Sequence, residues 1–268
     1  MRAVVCTARS IVAALMVLTL LLLLLVTAIA VLRRETFVAE IDTNRDFNVN
    51  ARGCVEALID IIKATRNDML ESDNIRVVDM ACGKAQWVPA FFKAVEPPIF
   101  ITSYVGKDDR PHMVGFAAAN TKGVAEYTRI DVADPHTHDY PACDVLLCRN
   151  LLQYKSFASI EAIIRNIARC DFNIVVLDSY EYGAGNVDTI LDQHFFINLE
   201  KAPFNMSPGY RVNEHGTNPQ KLVFVYTKGQ ITAYLQSNAF FNKEPDPHHS
   251  YHPLGGGNDH DHDHAHAH

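Results

Sequence analysis

The sequence lacks the patterns that mark several common classes of protein. Its 268 residues contain no C-x-x-C pair and no cysteine spacing typical of a zinc site. The net charge is -7 and no basic stripe is visible, so nucleic acid is not expected as an obligate partner, although a local basic patch stays open. The G-x-G-x-x-G spacing of dinucleotide-dependent dehydrogenases is also missing. A small neutral or cationic molecule, or a saccharide, suits this charge better.

Cysteine occurs six times, in a scattered arrangement. Setting aside Cys6, which precedes a long apolar run, an odd number remains, which argues against a complete disulfide framework. We expect reduced, packed thiols. Cys82, Cys148 and Cys170 adjoin apolar runs and are interpreted as small core residues.

One long apolar run stands near the N-terminus. Residues 11–32 carry no charge and are long enough to span a bilayer as a helix, which needs about 20 apolar residues. The alternative is a cleaved signal peptide, because residues 28–30 have the small-x-small form of a cleavage site. The run is longer than that of a typical signal peptide and an arginine pair follows it, which favours a single-pass anchor in a membrane of the secretory pathway, such as the ER or Golgi. Basic residues at both ends leave the side of the domain undecided.

The chain divides into five segments around this anchor. Residues 1–10 flank it, residues 33–51 form a polar connector, residues 52–242 form the folded domain, and residues 243–268 form a tail rich in His and Asp. Such a tail cannot bury a core. It is interpreted as a weak site for a divalent metal, a solvating tail or a tag-like addition. The metal candidates are His260, His262, His264, His266 and His268.

Within the domain, the apolar pattern predicts alternating helices and strands. Apolar residues at helical spacing predict a helix in residues 54–70. Short buried strands are predicted at 75–80, 99–105, 126–130, 144–148, 173–178 and 222–227, the last one after an irregular segment at 203–219. The stretches between most of them are long enough for helices. This alternation of strands and helices predicts an α/β domain with a mostly parallel sheet and crossover helices.

The stretch "VVDMACGKAQW" at residues 77–87 carries the first chemical signal. A predicted strand ends there in Asp79, and a loop of small residues at 80–85 leads into a helix predicted at 86–95. In open α/β sheets, ligands lie beyond the carboxyl ends of the strands, where small residues let the backbone come close. The amides of such a loop and of a helix N-terminus favour anionic groups.

Polar residues also follow the next three predicted strands. Asp108 lies just past the second strand, where a carboxylate can accept both hydroxyls of a ribose. Asp131 follows the third strand, and the pair Arg149-Asn150 ends the fourth.

In this order, the segments resemble the class I S-adenosylmethionine-dependent methyltransferases over residues 52–228. The family loop D-x-G-C-G-x-G is similar to "DMACGKA" at 79–85, and the family pattern Y-x-G-x-D to "YVGKD" at 104–108. The family strand that continues into R-D-x-L is similar to "DVLLCRNLLQYK" at 144–155. One subgroup has N-x-D-I and L-x-x-x-P-F segments after its fifth strand, and residues 186–188 and 203–204 hold the matching places.

The resemblance implies a Rossmann-like methyltransferase sheet with helices on both faces. It also implies S-adenosylmethionine as cofactor and a small-molecule or saccharide acceptor, with a hydroxyl as the favoured group.

Methyl transfer depends mainly on aligning nucleophile, methyl group and sulfur. A general base is needed only for a hydroxyl or a protonated amine. The candidates for it are His194, Asp188 and Tyr180. The implied cofactor-binding residues are Asp79, Ala81, Cys82, Gly83, Asp108, Asp131 and Arg149.

Several of these residues have a structural interpretation as well. Asp79 would then cap its loop through backbone hydrogen bonds, and Asp108 would be one of two solvated turn acids with Asp109. Asp131 would be a helix cap, and Arg149 would pair with a carboxylate.

The chain also departs from the family pattern. Ala81 and Ala85 replace two loop glycines, and an alanine forced to positive φ costs about 1 kcal/mol or more. Asn150 replaces an aspartate, which removes a charge near the substrate side. A catalytically inactive relative, serving as a binding or scaffold module, is therefore the alternative function. A metal-binding membrane protein is a third hypothesis, which depends on the tail alone.

Overall fold

The computed structural model describes residues 49–123, 125–134, 140–181, 185–188, 194–215, 217 and 220–241, together with residue 19. The anchor predicted at 11–32 lies outside the described residues except for residue 19, and the tail at 243–268 lies outside them entirely. None of the helices in the described ranges is both long and apolar enough to cross a membrane.

The described part of the chain contains seven strands in a single sheet, with the order β3-β2-β1-β4-β5-β7-β6. The neighbours among β1 to β5 are parallel, and β7 runs antiparallel to both β5 and β6. The strands are β1 (Asn74–Asp79), β2 (Phe100–Asp108), β3 (Glu126–Arg129), β4 (Cys143–Cys148), β5 (Phe172–Tyr180), β6 (Tyr210–Glu214) and β7 (Lys221–Thr227). Each predicted strand is found, whereas β6 lies in the segment that was expected to be irregular.

Five α-helices accompany the sheet in the described ranges: α1 (Val49–Thr65), α2 (Val88–Ala94), α3 (Pro111–Thr121), α4 (Phe157–Arg169) and α5 (Lys228–Ser237). Side-chain caps begin α4 and α5, and a proline lies in the first turn of α2 and of α3. The Ser156 hydroxyl accepts from the Ser159 amide at the start of α4, and Thr227 and Gln230 form a reciprocal capping box at α5. A short 3-10 helix at Leu152–Tyr154 lies between β4 and α4.

The core forms two apolar layers, one on each face of the sheet. One layer packs buried residues of α4 and α5, such as Ile163 and Ile231, against strand residues that include Leu146. The other packs α1 and α2 against the opposite face, with Leu58 and Phe91 among its members. The predicted Rossmann-like sheet with helices on both faces is therefore confirmed.

The strand order reverses between β1 and β4. From β1 the chain moves outward to β2 and β3, and then returns to place β4 and β5 on the other side of β1. In open α/β sheets this reversal opens a crevice at the carboxyl ends of the strands, where ligands bind. Asp79 and Cys148 are the last residues of the two strands that border it.

All five cysteines in the described ranges are buried and free. Cys143, Cys148 and Cys170 lie in the layer of α4 and α5, and Cys54 and Cys82 lie in the layer of α1 and α2. The expectation of packed thiols is confirmed for the cysteines that it named.

Candidate active site

Asp79 ends β1 as a buried carboxylate that holds its own loop. Its Oδ1 accepts from the Ala81 amide at 3.1 Å, and its Oδ2 accepts from the Tyr104 hydroxyl at 2.6 Å. Burial raises the pKa of Asp79 to about 6, although the Tyr104 hydrogen bond works in the opposite direction. Asp79 therefore joins the first two strands and sets the direction in which the loop leaves the sheet.

The loop after Asp79 turns through two residues with positive φ. Gly83 has φ +53° and Ala85 has φ +48°, whereas Ala81 is not among the residues with positive φ. The Cys82 amide donates to the Lys107 carbonyl at 2.9 Å, which ties the loop to the end of β2. Of the two alanines that replace family glycines, only Ala85 occupies a conformation that favours glycine.

Gly83 leaves open space on its outer side. A Cβ added there would meet no heavy atom within 4 Å, apart from its immediate chain neighbours. A ligand can therefore approach the loop backbone at this residue, as the small-residue pattern predicts.

Asp108 ends β2 beside this loop and is saturated with hydrogen bonds. The Gly83 amide donates to Oδ2 at 2.9 Å, and the Arg110 amide donates to Oδ1 at 3.1 Å. The Arg110 guanidinium adds Nε to Oδ1 at 3.0 Å and Nη2 to Oδ2 at 3.3 Å. Burial alone would raise the pKa of Asp108, but the hydrogen bonds and charge of Arg110 outweigh it and lower the pKa.

A glycine in β2 makes room for an aromatic ring behind the loop. A Cβ on Gly106 would lie 2.4 Å from Cε1 of Tyr127 in β3 and 3.0 Å from Cβ of Cys82. The ring centroids of Tyr127 and Tyr104 are 6.1 Å apart. The glycine of the Y-x-G-x-D pattern is thus explained here by packing between neighbouring strands.

Asp131 lies in the turn after β3. Its Oδ1 accepts from the Ala133 amide at 2.9 Å, and its carbonyl accepts from the Asp134 amide at 3.3 Å. This is the hydrogen bonding of an Asx-turn. Its contact with the cofactor remains a prediction from the resemblance.

Arg149, the residue after β4, lies in a buried charge cluster that also contains Asp178, Glu214 and Lys221. The Arg149 Nε donates to Asp178 Oδ1 at 2.9 Å, and its Nη2 donates to Glu214 Oε2. Lys221 Nζ lies 2.9 Å from Asp178 Oδ2 and 3.4 Å from Glu214 Oε2. All four side chains are at most 5% exposed. The structural interpretation of Arg149 is therefore realised, while a contact with the cofactor stays a prediction.

The charge cluster also explains the residue that replaces the family aspartate. Two cations face two carboxylates, so the cluster is balanced before Asn150 is counted. The Asn150 amide donates to Asp178 Oδ2, and its side-chain oxygen accepts from Lys221. Asn150 has φ +54°, a conformation that asparagine adopts more readily than most residues. Asn150 is exposed, and an aspartate there would bring a third carboxylate to the two cations of the cluster.

Four rings gather beyond the carboxyl ends of β4 and β5. The centroid of the exposed His194 ring lies 5.0 Å from that of Phe196, 5.2 Å from Tyr154 and 6.2 Å from Tyr180. The Phe195 amide donates to the Gln153 carbonyl at 2.8 Å, which fastens this segment to the 3-10 helix. Burial raises the pKa of Tyr180 far above its ordinary value.

Asp188 and Asn186 form hydrogen bonds that fix neighbouring backbone segments. Asp188 Oδ1 accepts from the Phe157 amide at 2.7 Å, at the start of α4. The Asn186 side chain donates to the carbonyls of Asn198 and Ala202 and accepts from the Asn198 amide. The structure thus brings His194 and Tyr180 together, and it assigns Asp188 to a helix terminus.

Two features of the site were not predicted from the sequence. Arg110 was not singled out, although a basic residue two positions after a strand-terminal acid is a readable signal for a local ion pair. Lys221 and Glu214 were not connected to Arg149, because only the sheet order places β7 beside β5 and β6 beside β7. In the described ranges, no group of three or more His, Cys, Asp and Glu residues is placed to hold a metal ion.

No protein-family model matches the sequence, and the comparison with curated proteins gives no match. Solved structures that are similar to the chain include several methyltransferases. Magnesium protoporphyrin IX methyltransferase from Synechocystis PCC 6803, with bound SAM, is 14% identical, with a TM-score of 0.49 over 68% of this chain and 81% of that one.

Two further structures belong to the same class of enzyme. The mitomycin 7-O-methyltransferase is 16% identical, with a TM-score of 0.48 over 66% of this chain and 53% of that one. A SAM-dependent methyltransferase from Methanosarcina mazei is 12% identical, with a TM-score of 0.44 over 57% and 92%. At these identities and TM-scores the likeness says nothing of the activity or substrate of this chain.

Proposed function

We propose that the chain is an S-adenosylmethionine-dependent methyltransferase that acts on a hydroxyl of a small-molecule or saccharide acceptor. One observation carries the proposal: Asp108 ends the second strand as a buried carboxylate and is hydrogen-bonded to a loop whose Gly83 is open on its outer side. The loop lies at the crevice where the strand order reverses, and a carboxylate in this place can accept ribose hydroxyls.

The cofactor would supply a methyl group that is already electrophilic, so the work of the protein is to bind and align. Gly83 would admit the ligand to the loop backbone, and Asp108 would accept the ribose hydroxyls. Asp79 would act through the loop, because its two donors, the Ala81 amide and the buried Tyr104 hydroxyl, are both fixed by the fold, whereas the Arg110 side chain on Asp108 is half exposed.

His194 is the favoured general base among the three candidates. Its ring is exposed and lies against Tyr154 and Phe196 beyond the ends of β4 and β5. The raised pKa keeps Tyr180 protonated near neutral pH, and Asp188 is engaged at the start of α4. A histidine is suited to take a proton from an acceptor hydroxyl near pH 7.

Membrane attachment through residues 11–32, in a membrane of the ER or Golgi and with the side of the domain undecided, belongs to the same proposal. It is supported by the length and uncharged character of that run. Extraction of membranes with carbonate at high pH should leave the full chain in the pellet and should release a variant that lacks residues 11–32. Release of the full chain would contradict the anchor.

Calorimetric titration of the full chain with S-adenosylmethionine tests the cofactor site. We expect micromolar binding that Asp108→Asn weakens at least tenfold, while Asp73→Asn, a change at a partly exposed acid outside the site, leaves it unchanged. With an acceptor in hand, His194→Ala should lower turnover while the cofactor Kd stays the same. A folded chain that binds no cofactor would contradict the proposal.

The alternative, an inactive relative used as a binding module, is favoured by one observation. Ala85 holds a positive φ at a position where the family has glycine, and it is 2% exposed. Restoring glycine with Ala85→Gly discriminates between the two functions. If Ala85→Gly binds the cofactor and the unmodified chain does not, the chain has lost a cofactor site that its fold once provided.

A further inference from the structure

The carboxylate of Asp108 has no acceptor capacity left for a ribose. A carboxylate offers about four lone-pair positions. Two are taken by the amides of Gly83 and Arg110, and two by Nε and Nη2 of the Arg110 guanidinium. A ribose diol can therefore bind there only if a protein donor leaves.

The four donors differ in how readily they leave. The amides of Gly83 and Arg110 belong to the loop and to the turn before α3, so they move only if the backbone moves. The Arg110 side chain is 52% exposed, and water can replace Asp108 as its partner. An ion pair whose cation is exposed in this way is also partly screened by salt.

A second carboxylate lies within reach of the displaced side chain. Arg110 Nε is 3.6 Å from Asp109 Oδ1, and the Asp109 side chain is 27% exposed. A small rotation of the guanidinium would carry it from Asp108 to Asp109 without leaving it in water alone.

We infer that Arg110 is a specificity-determining residue that competes with the ribose of the cofactor for Asp108, and that it turns toward Asp109 when the nucleoside binds. This inference rests on the proposed function. It means that the affinity for the nucleoside is set by a difference between two sets of hydrogen bonds, those of Arg110 and those of the diol.

The experiment compares cofactor binding by the full chain with binding by Arg110→Ala, using calorimetry with S-adenosylmethionine and S-adenosylhomocysteine. We expect the variant to bind both about three to ten times more tightly, because a forked ion pair with a half-exposed arginine no longer has to be broken. Arg129→Ala removes a neighbouring exposed arginine that contacts the Asp109 carbonyl, and it should leave both Kd values unchanged.

Two further readouts separate this competition from a general effect of charge. Adenosine and 2′,3′-dideoxyadenosine are both neutral, and only adenosine should gain affinity in Arg110→Ala. The affinity of the unmodified chain for adenosine should rise with added salt, and that of the variant should not.

Equal or weaker binding of adenosine by Arg110→Ala would overturn the inference, because Arg110 would then be a bystander or a direct ligand contact. An equal gain for the dideoxy compound would overturn it as well. If the unmodified chain binds the cofactor and Arg110→Ala shows no gain, the inference alone fails. If neither protein binds any of the four compounds while both remain folded, the proposed function fails with it.

Discussion

Replacing Asp79 by asparagine removes a charge from one of the most enclosed sites of the candidate loop. Asp79 is 2% exposed, and burial raises its pKa to about 6 from an ordinary value of 3.8. Asparagine keeps the shape of the side chain. Its oxygen can accept from the Ala81 amide while its nitrogen donates to the Tyr104 hydroxyl, so the hydrogen bonds survive the change.

The raised pKa fixes the sign of the effect. Below about pH 3.8 the carboxyl is protonated in both the folded and the unfolded chain and does not alter stability. As the pH rises toward 6, the unfolded chain ionises first and the folded state loses stability. Above the folded pKa the full cost applies, which is about 3 kcal/mol for a difference of roughly two pKa units.

Urea unfolding of the full chain at a series of pH values measures this cost. The single tryptophan, Trp87, is a suitable probe, because its ring centroid lies 5.9 Å from that of Tyr104. The free energy of unfolding of Asp79→Asn minus that of the unmodified chain should rise by about 2 kcal/mol between pH 4 and pH 7.5, because a small part of the full cost is already present at pH 4. Asp68→Asn, at an exposed position, provides the matched control.

A constant difference across this pH range would refute the reasoning. Asp79 would then ionise with the same pKa in the folded and the unfolded chain, and the loop would not be held by a desolvated carboxylate.

Three further changes test the packing and charge of the site by urea unfolding. Ala85→Gly should raise the free energy of unfolding by up to about 1 kcal/mol, because it relieves a positive φ; Ala81→Gly, without that strain, should lower it. Lys221→Met should cost about 3–5 kcal/mol, because two buried carboxylates lose a partner, and a cost below 1 kcal/mol would contradict the charge cluster. Gly106→Ala should cost about 1–3 kcal/mol, and less in a Tyr127→Leu background.

Buried strands were predictable from sequence, but one edge strand was not. The residues of β4 are buried throughout, and the four residues after Asp144 form a continuous apolar run. In β6 (Tyr210–Glu214), only Glu214 is fully buried, and it is there to meet Arg149. A strand whose most buried residue is an acid gives no hydrophobic signal.

The same distinction applies to the candidate site. Asp79 and Asp108 could be placed together from sequence, because the carboxyl ends of parallel strands meet at one edge of a sheet. The full set of charges around Arg149 could not. Asp178 lies on β5, the parallel neighbour of β4, but Lys221 and Glu214 reach the cluster only through the antiparallel pairing of β7 with β5 and β6. Charge balance in a cluster becomes visible only when the strand order is known.

The buried thiols can serve as probes of local unfolding in this fold. Cys82 lies in the candidate cofactor loop, and Cys143 and Cys170 lie in the opposite layer of the core. A thiol reagent can modify each of them only when the surrounding layer opens, so the labelling rate at each cysteine measures the local free energy of that opening. A ligand that binds at the loop should slow labelling of Cys82 before it affects the other two, which would reveal binding without any assay of turnover.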